Sequence, residues 1–161
     1  MPYFSQTISR FGDLTVNKWE HLFTTGEYAP PDKILSNLTL EQVSHVPSNT
    51  SHSIYEELWH LATWQHIVVF RDESLYKSWE AGDLYPSKPP TSEQDWHDLV
   101  DRFDEGLKEV FVWTSSDEKL KLETDPGITM EFNLVSLAVH NAYHLGKIVA
   151  IRQMLGIWSS T

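Results

Sequence analysis

Apolar residues recur with helical spacing in four long stretches of the sequence, and this periodicity limits the folds open to the chain. The predicted helices cover residues 5–24, residues 54–80, a stretch after Thr91 with apolar positions at 96–111, and residues 129–155. Glycine and proline residues separate the stretches. Strand-like alternation is almost absent, so the pattern predicts an all-α protein.

The lengths of the helices and connections favour one architecture. Residues 1–161 together have the size of one domain. Four long helices pack well as a bundle, but the connections are too long for a simple up-and-down order. We therefore predict a single-domain four-helix bundle with crossover connections.

Two short patterns mark predicted helix starts. Ser53 with Glu56, and Thr91 with Gln94, have the spacing of a capping box, in which the two side chains bond to each other's backbone amides. Gly156 is predicted to stop the last helix.

Two connecting segments carry weaker signals. Residues 32–47 are predicted to form one or two short helical turns with Thr39 as a cap, and residues 115–127 alternate weakly and suggest a short extended piece.

The charge and cysteine content exclude several classes of function. A net charge of −11 repels phosphate backbones and anionic lipid headgroups, so we expect no nucleic acid and no membrane as partners. The chain has no cysteine, which excludes disulfides, thiolate metal ligands and a cysteine nucleophile. No secretory signal is recognisable, so we expect a cytoplasmic protein.

The most suggestive chemical pattern is the pair His140 and His144, which lie one turn apart on one face of the fourth helix. Such a pair can hold a metal ion, although eight scattered histidines would produce about 0.4 such pairs by chance. Asn141 stands where the helical metalloprotease motif needs a glutamate, so that motif is excluded.

A helical wheel places five polar residues of this helix in one arc. They are Asn133, Ser136, His140, His144 and Lys147. The arc is either a solvent-facing surface or the lining of a cavity. Its low charge, compared with the acidic face of the third helix, favours the cavity.

A metal site needs a third ligand from another segment, and His60 in the second helix is the best candidate. Its alternative role is that of a histidine at the edge of the core. His52 ranks fourth. Glu57 and His60 form one Glu-x-x-His unit, but the fourth helix lacks the second copy that a di-iron bundle requires.

Two motifs resemble the DinB/YfiT-like superfamily. They are residues 51–64, which contain His60, and residues 140–148, which contain His140 and His144 and are followed by Arg152 and Gly156. With the connector at residues 38–42, the likeness extends over about residues 32–158.

The resemblance implies a four-helix bundle, often a homodimer, that holds one divalent metal ion through His60, His140 and His144. The ion could be zinc, nickel, iron or manganese. Characterised relatives include transferases and isomerases that use low-molecular-weight thiols such as bacillithiol or mycothiol. Lys147 departs from the family, which usually has glutamine there. An ammonium group at this position could bind an anionic cofactor or substrate, or it could simply reach solvent.

Three neutral imidazoles leave an ion with its full charge and an open position. A cofactor thiol bound there gives a thiol-dependent transferase acting on a small-molecule substrate, which is the leading hypothesis. A bound water gives a metal-dependent hydrolase. A third hypothesis is a bundle that binds a ligand or partner without catalysis. Glu57 is the candidate catalytic residue, to orient a ligand or take a proton, and Arg152 is predicted to pair with a carboxylate.

Overall fold

The computed structural model describes residues 17–159, and the described chain is mostly helical. Three long helices form its centre: α4 (Ile54–Phe70), α6 (Glu93–Trp113) and α8 (Met130–Met154). Helix α4 packs against both α6 and α8. The all-α prediction is therefore confirmed.

Shorter elements surround these three helices. They are α1 (Lys18–Glu20), which continues as a π-helical turn (His21–Thr25), α2 (Pro31–Leu35), α3 (Leu40–Ser44), α5 (Glu73–Glu80), α7 (Asp117–Leu120), β1 (Glu123–Asp125) and β2 (Ile128–Thr129). The two strands pair antiparallel in a small hairpin before α8.

The first predicted helix is described only in part, because residues 5–16 lie outside the described residues. Its described end comprises α1 and the π-helical turn, where Trp19 and Phe23 are buried. Lys18 pairs with Glu131 at 2.7 Å, which ties this segment to the start of α8.

The predicted length of the second helix was wrong, because the helix breaks near residue 71. Helix α4 ends at Phe70, and Arg71 adopts a left-handed conformation with φ of 54°. The side chain of Asp72 then accepts hydrogen bonds from the amides of Ser74 and Leu75, which starts α5 as a separate helix. The break turns α5 back toward the centre of α4.

The helix caps follow the sequence closely. The capping box of Ser53 and Glu56 is present at the start of α4. At α6 the box is one residue later than predicted, because Ser92 pairs with Asp95, whose carboxylate also accepts hydrogen bonds from Thr91.

Several other predictions agree with the structure. Thr39 caps α3 within the connector, as predicted, and Thr129 caps α8. Gly156 has φ of 69° just after the last helix, a conformation that glycine adopts without strain. The predicted extended piece at residues 115–127 contains β1, preceded by the short helix α7.

Arg152 has a different partner from the predicted carboxylate. Its guanidinium donates hydrogen bonds to the carbonyl oxygens of Lys33, Ile34 and Ser36, at 2.5 to 3.2 Å. These carbonyls lie at the C-terminal end of α2 and just beyond it, where carbonyl groups lack helical partners, so an arginine caps them well. Arg152 thereby fastens α2 to α8.

Helix α8 is long and apolar enough to cross a membrane by length and composition alone. That test is weak, because the core helix of a globular protein passes it as well. In this structure α8 carries much of the core, including Leu134, Leu137 and Ile148.

Candidate metal centre

The three predicted ligands meet between α4 and α8. His60 comes from α4, and His140 and His144 come from successive turns of α8. One ring nitrogen from each lies within 4.8 Å of the other two, and the Nε2 atoms of His60 and His140 are 3.3 Å apart. His60 and His144 are buried and His140 is half-buried. The fold therefore brings together the histidines that the sequence singled out.

The remaining ring nitrogens of two histidines are engaged in hydrogen bonds. Nδ1 of His60 lies 2.8 Å from the carbonyl oxygen of Leu84, which can only accept, so this nitrogen carries the proton. Nδ1 of His144 lies 2.7 Å from Oε2 of Glu57. In both rings Nε2 is therefore the nitrogen left with a lone pair for a metal ion.

Glu57 supports this arrangement from behind His144. Its side chain is buried and contacts three basic groups: Nδ1 of His144, Nζ of Lys147 and, at 3.4 Å, Nδ1 of His52. Burial alone would raise the pKa of Glu57, but the hydrogen bonds from His144 and Lys147 outweigh it and lower the pKa. The carboxylate is therefore ionised and accepts a hydrogen bond from Nδ1 of His144.

His60 and His140 are held in their neutral form. Burial, together with the neighbouring His144 and His60, lowers the pKa of His140 to about 4. Burial also lowers the pKa of His60, although the bond to Leu84 opposes this. A neutral imidazole is the form that binds metal.

Aromatic rings enclose the site on the side of His60. The ring centre of His60 lies 4.6 Å from that of Trp79 and 4.9 Å from that of Tyr85. Tyr85 also stacks on His52 at 3.7 Å. Trp79 belongs to α5 and Tyr85 to the loop after it, so the break after α4 brings both to the site.

The sequence reasoning missed Trp79, Leu84 and Tyr85. No metal or catalytic motif contains them, and their placement depends on how α5 folds back. The predicted fourth-ranked histidine, His52, lies outside the three-histidine group and contacts Glu57 instead.

The polar arc of α8 faces the site only in part. His144 is buried, and Asn133, His140 and Lys147 are half-buried, whereas Ser136 is exposed. The outward side of α8 is apolar instead. Its exposed members are Phe132, Val135, Val139 and Tyr143.

Lys147 and Glu57 lie beside the three histidines, but neither is among the grouped ligand atoms. The Nζ of Lys147 pairs with Oε1 of Glu57 and lies 5.7 Å from the ring centre of Tyr143. Their predicted roles in cofactor binding and catalysis stay predictions.

The donor set fits a divalent ion. Ligands on a tetrahedral zinc, each about 2.0–2.1 Å from the metal, are separated by about 3.4 Å. The 3.3 Å between the two Nε2 atoms is close to that separation. Three neutral nitrogen donors suit zinc, nickel, iron or manganese, with affinities that follow the general order for nitrogen sites.

The fold and the three converging histidines together define the class of this protein. It is a mostly helical protein with a candidate metal centre. The family model of the DinB superfamily matches residues 32–148, and the chain belongs to this superfamily. The searches of curated proteins and of solved structures found no match.

Proposed function

We propose that the chain is a metal-dependent transferase that acts with a low-molecular-weight thiol of the bacillithiol or mycothiol type. The observation that carries the metal site is the convergence of three histidines, two of which have their Nδ1 atoms committed to Leu84 and Glu57. Their Nε2 atoms are thereby left to bind an ion. A bound divalent ion would supply positive charge that lowers the pKa of a thiol or water at its open position.

The residues of the chain have distinct parts in this proposal. His60, His140 and His144 hold the ion, and Glu57 fixes the orientation of His144. Trp79 and Tyr85 cover His60 and keep bulk water from that side. Because the chain has no cysteine, the reacting thiol comes from a small molecule.

Space for a substrate lies close by. The ring centre of Trp64 is 6.3 Å from that of His140. Trp64 also lines a cavity of about 370 Å³ together with Arg71, Tyr76 and Asn133. A cavity of this size accommodates a small molecule.

In the proposed reaction the thiol sulfur forms a bond to an electrophilic carbon of the substrate. The leaving group departs with the electron pair of the bond that breaks, and the thiol proton passes to solvent. Lys147 lies near enough to the site to bind an anionic group of the thiol, provided that its pairing with Glu57 loosens.

The proposal is tested by loading the protein with Zn²⁺, Ni²⁺, Fe²⁺ or Mn²⁺ and adding bacillithiol or mycothiol with an aryl halide. Mass spectrometry detects the thioether. We expect product only when both metal and thiol are present, and none from the His144→Ala variant. The exposed His97 provides the matched control, so His97→Ala should retain activity.

The other outcomes separate the remaining hypotheses. Hydrolysis of an ester substrate by the metal-loaded protein without a thiol would support the hydrolase. A shift in melting temperature with thiol but no turnover would support non-catalytic ligand binding. A homodimer, a cytoplasmic location and the absence of nucleic-acid and membrane partners stay predictions.

A further inference from the structure

Two buried amide side chains interrupt the apolar faces of α4 and α8, the two helices that carry the three histidines. Gln65 is fully buried and Asn141 is 1% exposed. Asn141 follows His140 in the sequence, and Gln65 lies on the helix that carries His60. Buried amides are costly unless they are hydrogen-bonded, so their partners indicate their role.

The hydrogen bonds of the two amides have one fixed direction. Nε2 of Gln65 donates to the carbonyl oxygen of Phe103 at 2.7 Å, and a carbonyl oxygen can only accept. Oε1 of Gln65 then accepts from Nδ2 of Asn141, also at 2.7 Å. The chain of bonds therefore leaves Asn141 with its oxygen, an acceptor, as the free end.

The oxygen of Asn141 is a suitable hydrogen-bond acceptor for a ring nitrogen of His140. Oδ1 of Asn141 and Nδ1 of His140 are both buried, and neither has a well-directed hydrogen-bond partner among the described residues. The two atoms belong to adjacent residues. The Asn141 side chain already lies close enough to the His140 ring to interact with it. A hydrogen bond between them would satisfy both buried atoms.

We propose that Gln65 and Asn141 are positioning residues that hold the proton of His140 on Nδ1 and direct its Nε2 toward the metal. The proposal rests on the three-histidine metal site of the proposed function. With the proposed bond, the Nδ1 atom of each histidine has a hydrogen-bond acceptor: Leu84 for His60, Glu57 for His144 and Asn141 for His140. Such supporting bonds fix the orientation of metal ligands and raise their affinity.

The test measures zinc affinity by competition with a chromophoric chelator. Asn141→Leu removes the acceptor, and we expect a ten- to hundredfold weaker affinity with one ion still bound at saturation. Gln65→Leu removes the acceptor that holds the Asn141 side chain and should cause a smaller loss of zinc affinity. Val110→Ala is the control, because Val110 is fully buried on α6 and has no hydrogen bond to the relay, the chain of bonds from Phe103 through Gln65 and Asn141 to His140.

A rescue variant separates positioning from core packing. Asn141→Asp keeps an oxygen acceptor for the Nδ1 proton of His140 but cannot donate to Gln65. We expect the zinc affinity of Asn141→Asp to be no lower than that of Asn141→Leu and closer to that of the wild type. The folding stability of Asn141→Asp should fall. A purely structural role predicts that both variants lose stability and that neither changes zinc affinity more than Val110→Ala does.

A spectroscopic measurement keeps the test decisive if a variant does not fold. In zinc-loaded wild-type protein labelled with ¹⁵N, the Nδ1 proton of His140 should be hydrogen-bonded and slow to exchange with water. A fast-exchanging proton overturns the relay while leaving the metal site intact. A wild-type chain that binds no zinc overturns both the relay and the proposed function.

Discussion

Glu57 and His144 are joined by a hydrogen bond of 2.7 Å between Oε2 and Nδ1. The two residues are 87 positions apart in the sequence, and both are buried. This bond links α4 to α8 at the candidate metal centre. It also determines which nitrogen of His144 remains for a metal. The ionised carboxylate accepts a hydrogen bond from Nδ1, so Nε2 remains.

Replacing Glu57 with glutamine should weaken metal binding. Glutamine keeps the size of the side chain but removes the charge that draws the Nδ1 proton of His144. We expect a ten- to hundredfold lower zinc affinity in a chelator competition, with one ion per chain at saturation. Glu41→Gln, at an exposed position, is the matched control. Equal affinities in the two variants would show that Glu57 does not support His144.

The metal-free protein should lose stability as the pH falls from about 6.5 toward 4. Burial lowers the pKa of His140 from 6.5 to about 4, so between these values the unfolded chain binds a proton that the folded chain does not. Stability is therefore present above 6.5 and is lost as the pH approaches 4. His60 and His66 contribute in the same direction, since burial lowers their pKa as well.

Melting temperatures at pH 7 and pH 5 measure this effect. The His140→Gln variant, which cannot titrate at this position, should show a smaller decrease than the wild type. An identical decrease in both proteins would mean that His140 remains as easily protonated in the folded protein as in the unfolded chain.

Two glycines on long helices should respond oppositely to alanine. A Cβ at Gly106 would overlap the buried amide of Gln65, whereas a Cβ at Gly146 meets nothing within 4 Å. We expect Gly106→Ala to destabilise the fold by about 1–3 kcal/mol through overpacking. Gly146→Ala, in an exposed helix interior, should stabilise it by about 0.5–1 kcal/mol. Urea denaturation measures both, and a neutral Gly106→Ala would contradict the close packing at Gln65.

The helices and the histidine pair could be predicted from the sequence because they depend on local patterns. Capping residues such as Ser53 and Thr39 act within one turn, and His140 and His144 share a helix face by spacing alone. The break after Phe70 was missed because the apolar spacing continues through it. Asp72 starts a new helix by a local hydrogen bond that periodicity does not reveal.

The supporting residues of the site were harder to predict because they act across the fold. Leu84 contributes a backbone carbonyl, which has no sequence signature. Gln65 and Asn141 did leave a signal, because each is a polar residue at a position where helical spacing calls for an apolar one. A polar interruption of a core stripe near a predicted ligand is therefore informative about the groups that hold the ligand.

The central claim is that His60, His140 and His144 together bind one divalent metal ion. Calorimetric titration of the metal-free protein with Zn²⁺ near pH 7.5 measures the stoichiometry. We predict one ion per chain for the wild type and for the exposed-site control His97→Ala, and no tight binding for His60→Ala, His140→Ala or His144→Ala. Full zinc binding by the three ligand variants would contradict the account.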